Sequence, residues 1–238
     1  IGSFFALARV CGFTALEFRG FITRHLDGLN LTYDITAFFD KLGMVSAKPV
    51  AEIVRDMLTV KFGESKANMT MQELFDETGI QLNLSAYNVS RCKPQLFSHE
   101  TDPDLPVEMA VRMTTAIPII FAPVIYNNES YVDGGIAENI PIVVPLDKSL
   151  VMFIQSYHNF VPGNEMKTAD FLCRLLHPTQ DNEIYFKVES ADPGLQHRFV
   201  SAKVPCSFAA SSTDIALTPQ KRNNLIDLGY MRMLEALS

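Results

Sequence analysis

DLPVEMAVRMTTAIPIIFAPVIYNNESYVDGGIAENIPI, from Asp104 to Ile142, is the stretch on which the reading of this chain turns. Pro106 opens a helix that runs to about Thr115, with Asp102 and Asp104 placed to favour its positive end. Apolar runs at 119–126 and 130–133 come next as strands, and the second leads into Asp133-Gly134-Gly135. Two glycines let the backbone turn sharply and leave the Asp133 carboxylate at a strand end. Alone this is a weak signal, because Asp-Gly is also the strongest hairpin-turn dipeptide.

Upstream, QLNLSAYNV alternates apolar and polar positions and KPQLFSH comes after it across a short polar turn, so both predict strands. Before them the pattern is helical. Residues 3 to about 11 form a helix closed by Gly12, and Thr14 with Glu17 makes a capping box for the next. Thr70 with Glu73 repeats the device, with Leu74 and Phe75 on the buried side and Gly79 as terminator. The stretch 34–63 between them carries apolar residues at three- and four-residue spacing and predicts helical cover. Downstream, 149–156, 183–189 and 199–204 predict strands, 166–177 a helix, and Thr218-Pro219 the start of a closing helix. Strands interleaved with helical cover predict one layered α/β domain over residues 1–238.

Composition narrows the function classes. The chain has 238 residues, 47% hydrophobic, with 27 acidic against 20 basic side chains and a formal charge of −7. No Lys/Arg run resembles a phosphate-tracking surface, which argues against a nucleic-acid partner. Cys11, Cys92, Cys173 and Cys206 lack the pairing that zinc or a redox centre requires, and predict buried free thiols. Five Asn-x-Ser/Thr sequons occur, at Asn30, Asn68, Asn83, Asn88 and Asn128, two of them inside the predicted strand 81–89. Prolines 118, 123 and 141 break the longest apolar runs below membrane-spanning length, which predicts a cytoplasmic protein or one held at the membrane periphery. Residues pointing to a metal or organic cofactor are absent from the pattern: none of His25, His99, His158, His177 and His197 has ligand spacing.

The order of elements from Asp104 to Ile142 resembles the patatin-like phospholipase family. There a helix ends in an A-I-P turn, an F-x-P-V strand comes next, and then D-G-G, an asparagine and a proline. LTVKFGESKANMTMQELFDETGIQLNLSAYNVSRCKPQLFSHETDPDLPV resembles the family's lead into its catalytic aspartate, and ALTPQKRNNLIDLGYMRMLEAL its closing helix. The likeness covers roughly 1–157 and 207–237. Thr114 and Thr115 stand where small serines are usual, and Glu138 precedes Asn139.

The resemblance implies a three-layer α/β sandwich with a central, mostly parallel sheet, and a Ser–Asp dyad acting on lipid or phospholipid esters. Asp133 is then the catalytic base, with Gly134 and Gly135 shaping its turn. IGSFFALARVCGFTALEF resembles the segment just past the serine of a G-x-S-x-G elbow, so Ile1 is the residue after the nucleophile and Gly2 the last elbow glycine. The serine and the glycine-rich oxyanion loop then lie upstream, and the chain alone is expected to be inactive. Ser3 lacks the flanking pattern of a substitute nucleophile. Two other readings stay open: a patatin-fold lipid-binding or storage-type protein without activity, and an unrelated hydrolase using a histidine, with His158 the best placed. Phe4, Phe5, Leu7 and the Phe/Met-rich segments are expected to fill the core in preference to lining an acyl channel.

Overall fold

A computed structural model describes residues 2–27, 36–157, 160–166, 171, 174, 182–205, 224, 227 and 231. The chain divides into two compact units, Ile1–Ala137 and Glu138–Ser238.

In the first unit the capping chemistry sets the helices. Helix α1 spans Gly2–Val10 and stops at Gly12, whose φ of +75° suits a residue without a Cβ. Helix α2, Ala15–Asp27, starts where Thr14 Oγ1 accepts from the Glu17 N–H and the Glu17 carboxylate accepts from the Thr14 N–H. After α3 (Ala37–Lys41), β1 (Gly43–Val45) and α4 (Lys48–Phe62), helix α5 runs Met71–Thr78. Its Thr70–Glu73 capping box is complete, and Gly79 closes it at φ +66°. Strands β2 (Leu84–Asn88) and β3 (Lys93–Phe97) precede α6 (Val107–Thr115), and then come β4 (Ile119–Phe121), β5 (Val124–Tyr126) and β6 (Glu129–Asp133).

The core lies where α1, α4, α5 and α6 meet the inner face of the sheet. Leu7, Val54, Met57, Leu58, Val107, Val111 and Met113 are fully buried there. Each such side chain removed from water contributes about 1.5–3 kcal/mol. Leu7 and Leu74 fill this core as expected, whereas Phe5 is mostly exposed and lies edge-on to Phe18.

Two departures from the sequence reading occur in this unit. Residues 43–45 form a strand inside the expected helical cover, paired in parallel with β4, Gly43 opposite Ile119. A Cβ on Gly43 would lie 2.2 Å from the Ala122 nitrogen, so only glycine permits the approach. The single run expected at 119–126 is two strands, split at Ala122-Pro123, where proline supplies no ladder donor.

The largest described sheet has the order β3-β2-β6-β5 and every pairing in it is antiparallel. Its links at 89–92 and 127–128 are too short for the crossover that parallel neighbours need. Asn127 (φ +48°) and Asn128 (φ +63°) make the second link a two-residue turn with both central φ values positive. The α/β class is as read from the sequence; parallel pairing among the described strands joins β1 to β4 and, in the second unit, two further strands.

In that second unit β7 (Val151–Tyr157) and β8 (Phe199–Pro205) pair in parallel. Tyr185–Glu189 is a π-helical turn, not the strand expected at 183–189. Helical spacing brings Glu183 and Lys187 together at 2.8 Å, and the Lys187 ammonium also reaches Glu138 and the Ile140 carbonyl. The helices expected at 166–177 and from Thr218 fall largely outside the described residues.

Candidate active site around Asp133

Strand β6 lies between β2 and β5, with Asp133 opposite Ala86 and Tyr131 opposite Asn88. Alternation along the strand puts Glu129, Tyr131 and Asp133 on one face, the face that also carries Leu84, Ala86 and Phe97 into the core.

Three contacts fix the strand end that holds Asp133. Its N–H donates to the carbonyl of fully buried Ala116, the C-cap of α6, at 2.9 Å. That helix is tied to α4 by Glu108, which pairs with Arg55 at 3.1 Å and with Arg112 one turn along. Gly134 then passes so close to β2 that a Cβ would lie 2.5 Å from the Ser85 carbonyl oxygen. Finally the Gly135 N–H donates to Asp133 Oδ1 at 2.8 Å, capping the short turn Gly134–Ile136. Each residue of Asp-Gly-Gly therefore has a different task, and an ordinary side chain is sterically excluded at Gly134.

Burial pushes the Asp133 carboxyl above its usual range, because removing water penalises the charged form. The Gly135 N–H pulls the other way and does not cancel it. A carboxyl that holds its proton more tightly than usual is a stronger base, which is what proton abstraction requires.

The far end of the same face has the opposite chemistry. Glu129 is paired with Arg91 and accepts from Asn88 Nδ2 at 2.6 Å and Tyr131 Oη at 3.0 Å. Its carboxyl is held down to about 2, first by the Arg91 guanidinium and then by Asn88. Burial, then the bond to Glu129, pushes the Tyr131 phenol up to about 12. Neither this network nor the Ser85 and Ala116 contacts can be read from motifs. One signal was available: Asn88 occupies the buried phase of an otherwise apolar alternation, Leu84, Ala86, Asn88. Its full burial also rules out a glycan at that sequon.

Of the other expected site residues, Gly2 begins α1, and a Cβ there would meet nothing within 4 Å, so no described neighbour demands glycine. Ile1 lies outside the described residues, as do His158 and His177. Ser3 sits in the first turn of α1 with a buried Oγ that has no partner among the described residues. His25 bridges the Phe21 carbonyl and Asp56, His99 stacks on Phe75, and His197 lies in a short turn; no described histidine hydrogen-bonds Asp133. Cys11 is buried and its thiol is pushed up to about 12, but Cys92 is exposed, contrary to the expectation of buried thiols. It stands in the polar turn between β2 and β3 at φ +52°, where no core is within reach. Cys173 and Cys206 are outside the described residues. No group of three metal-type ligands gathers among the described residues.

Comparison with known proteins gives the site its context. The family model described as patatin-like phospholipase matches residues 1–146. A protein of Invertebrate iridescent virus 6 named "Probable lipid hydrolase 463L" is 32% identical over 140 residues, covering 54% of this chain and 44% of its own length. Uncharacterized protein R571 of Acanthamoeba polyphaga mimivirus is 28% identical over 137 residues, 55% of this chain and 42% of its own. The chain thus spans less than half the length of these curated relatives. The crystal structure of VipD from Legionella pneumophila aligns over 72% of this chain and 35% of its own, at 16% identity and a TM-score of 0.48.

Proposed function

This chain belongs to the patatin-like phospholipase family, and on that premise we propose that the protein hydrolyses acyl esters of lipids through a Ser–Asp dyad whose base is Asp133. The observation that carries the reading is the desolvated carboxyl at the end of β6, held by one N–H donor at Oδ1 and raised in proton affinity. A serine hydroxyl is a poor nucleophile until a neighbour takes its proton. Asp133 accepts that proton as the serine oxygen bonds to the ester carbonyl carbon. The tetrahedral intermediate collapses, the acyl–oxygen bond breaks, and the proton passes from Asp133 to the departing alcohol. Water then repeats the sequence on the acyl-enzyme and releases the fatty acid.

By the same reading the nucleophile stands immediately before Ile1 and the oxyanion donors lie further upstream. The relative named a lipid hydrolase supports the substrate class. No described helix is long and apolar enough to cross a membrane, and a peripheral contact with lipid surfaces suits an enzyme of insoluble esters.

A second reading, a patatin-fold lipid-binding or storage-type protein without activity, is favoured by one observation: Asp133 caps the turn Gly134–Ile136, a structural task complete in itself. Asp133→Asn in the full-length protein separates the two. An asparagine Oδ1 still accepts from Gly135, so the fold is kept while the base is lost. Hydrolysis of p-nitrophenyl and phospholipid esters should fall to background with an unchanged circular dichroism spectrum; undiminished turnover would remove the dyad from consideration.

A further inference from the structure

Beside the β5–β6 hairpin an open depression of about 520 Å³ is lined by Arg91, Lys93, Gln95, Asp102, Tyr126 and Glu129, among others. Asp133 is not part of its wall. It lies four residues along β6 from Glu129, roughly 13 Å at strand spacing, so the depression is separate from the dyad. Its volume falls within the ~300–1,000 Å³ of small-molecule sites. Pro94, Leu96 and Phe97 also line it, but most of its exposed lining is polar, which favours a polar guest.

The floor is built. Asn88 is fully buried, and its Nδ2 donates to Gln95 Oε1 at 3.3 Å and Glu129 Oε2 at 2.6 Å, while Oδ1 accepts from the Arg91 N–H at 3.1 Å. Tyr131 Oη lies 3.4 Å from the same Gln95 oxygen. The Tyr131 proton goes to Glu129 at the shorter distance, so the Asn88 amide is the donor that sets the Gln95 oxygen inward, and Gln95 Nε2 has no hydrogen-bond partner among the described residues. An apolar pair would fill this position without the cost of burying an amide. What the network adds is a fixed donor at the surface.

The charges are equally specific. Arg91 is already spent on Glu129. Lys93 is exposed and forms no ion pair with any described residue, so one ammonium on the wall is left to meet an anion. Asp102 also lines the depression, and its charge acts on the Tyr131 phenol; no described cation pairs with it. An unmatched cation beside a fixed amide donor, together with an unmatched carboxylate, selects a guest that carries both signs.

We propose that this depression binds a small phosphate-bearing zwitterion, its phosphate at Lys93 and Gln95 Nε2 and its ammonium at Asp102. The chemistry is shared by a phospholipid headgroup and by the free phosphorylated amino alcohol.

Isothermal titration of the full-length protein with phosphorylethanolamine tests it. Saturable binding is expected, with glycerol phosphate and ethanolamine each about ten-fold weaker because each retains one charge. Lys93→Glu and Asp102→Asn should each weaken phosphorylethanolamine about ten-fold at a temperature where melting curves show both variants fully folded. Glycerol phosphate binding as tightly as phosphorylethanolamine, or binding indifferent to both variants, overturns the proposal, as does no saturable binding. Co-sedimentation with phosphatidylethanolamine vesicles, competed by the soluble ligand, identifies a lipid source; soluble binding without vesicle binding identifies the free compound. No turnover enters the measurement, so its failure leaves the Asp133 reading standing, and the converse holds.

Discussion

Asp133 and Glu129 sit on the same face of the same strand, four residues apart, and are tuned in opposite directions. Asp133 has one backbone donor and a dry setting, and its carboxyl is raised. Glu129 has a guanidinium, an amide and a phenol, and is held down to about 2. Position on the sheet does not decide proton affinity; the donors supplied against desolvation do. Under the proposed function two acids driven apart in this way would divide the labour, Asp133 exchanging a proton and Glu129 remaining a fixed anion.

The largest effect that would break the comparison is on activity. General-base catalysis contributes about 10²–10⁴-fold, so Asp133→Asn in the full-length protein should lower kcat by at least that order, whereas Glu129→Gln should leave kcat within about three-fold. Equal losses from both would show that the two acids share one role.

Next is the packing that aims Asp133. Gly134→Ala forces a methyl to within 2.5 Å of the Ser85 carbonyl oxygen, and overpacking of that kind costs about 1–3 kcal/mol. Chemical denaturation should show it as a lowered midpoint with an unchanged slope; an unmoved midpoint would mean that β2 and the turn yield freely. At the other end Asn88→Ala removes the buried donor between Gln95 and Glu129, and about 2 kcal/mol should be lost. A loss below about 0.5 kcal/mol would make the network an ornament of the surface. The smallest effect is remote from both acids: Thr70→Ala at the α5 cap should cost about 1 kcal/mol with kcat unchanged, a baseline for damage to the fold alone.

Stability against pH sharpens the contrast through its sign. Asp133 has a folded pKa above its unfolded one, so the stability linked to its proton is complete below the unfolded value, about 3.9, and is lost as pH rises through the folded value. Asp133→Asn should therefore raise stability at neutral pH, with the gain vanishing in acid. Glu129 behaves inversely: its contribution is full above about 4.3 and is lost as pH falls toward about 2. Glu129→Gln should lower stability at neutral pH, and that loss should vanish in strong acid. Melting temperatures across about pH 2–8 check both signs.

How much of this was legible depended on whether a feature is local. Thr14–Glu17, Thr70–Glu73, Gly12 and Gly79 read correctly because a cap is made within one turn of chain. Asp-Gly-Gly was legible as a turn. Why Gly134 must be glycine was not, since the reason lies on β2, about fifty residues earlier. β1 escaped because three residues show no alternation and its partner is β4. Tyr185–Glu189 read as a strand from its apolar content, while the Glu183–Lys187 pair and the Lys187 bond to Ile140 favour a helical turn. The Glu129 network draws on three strands and the turn at Arg91, and only the misplaced polarity of Asn88 announced it.

The account stands on Asp133 keeping its proton more tightly than an ordinary aspartate while Glu129 gives its own up. Carbon-detected NMR titration of the side-chain carboxyls in the full-length protein measures both at once. The Asp133 resonance should change above the ordinary range, near about 3.9, and that of Glu129 well below about 4.3. An Asp133 midpoint at or below that of Glu129 would contradict the account.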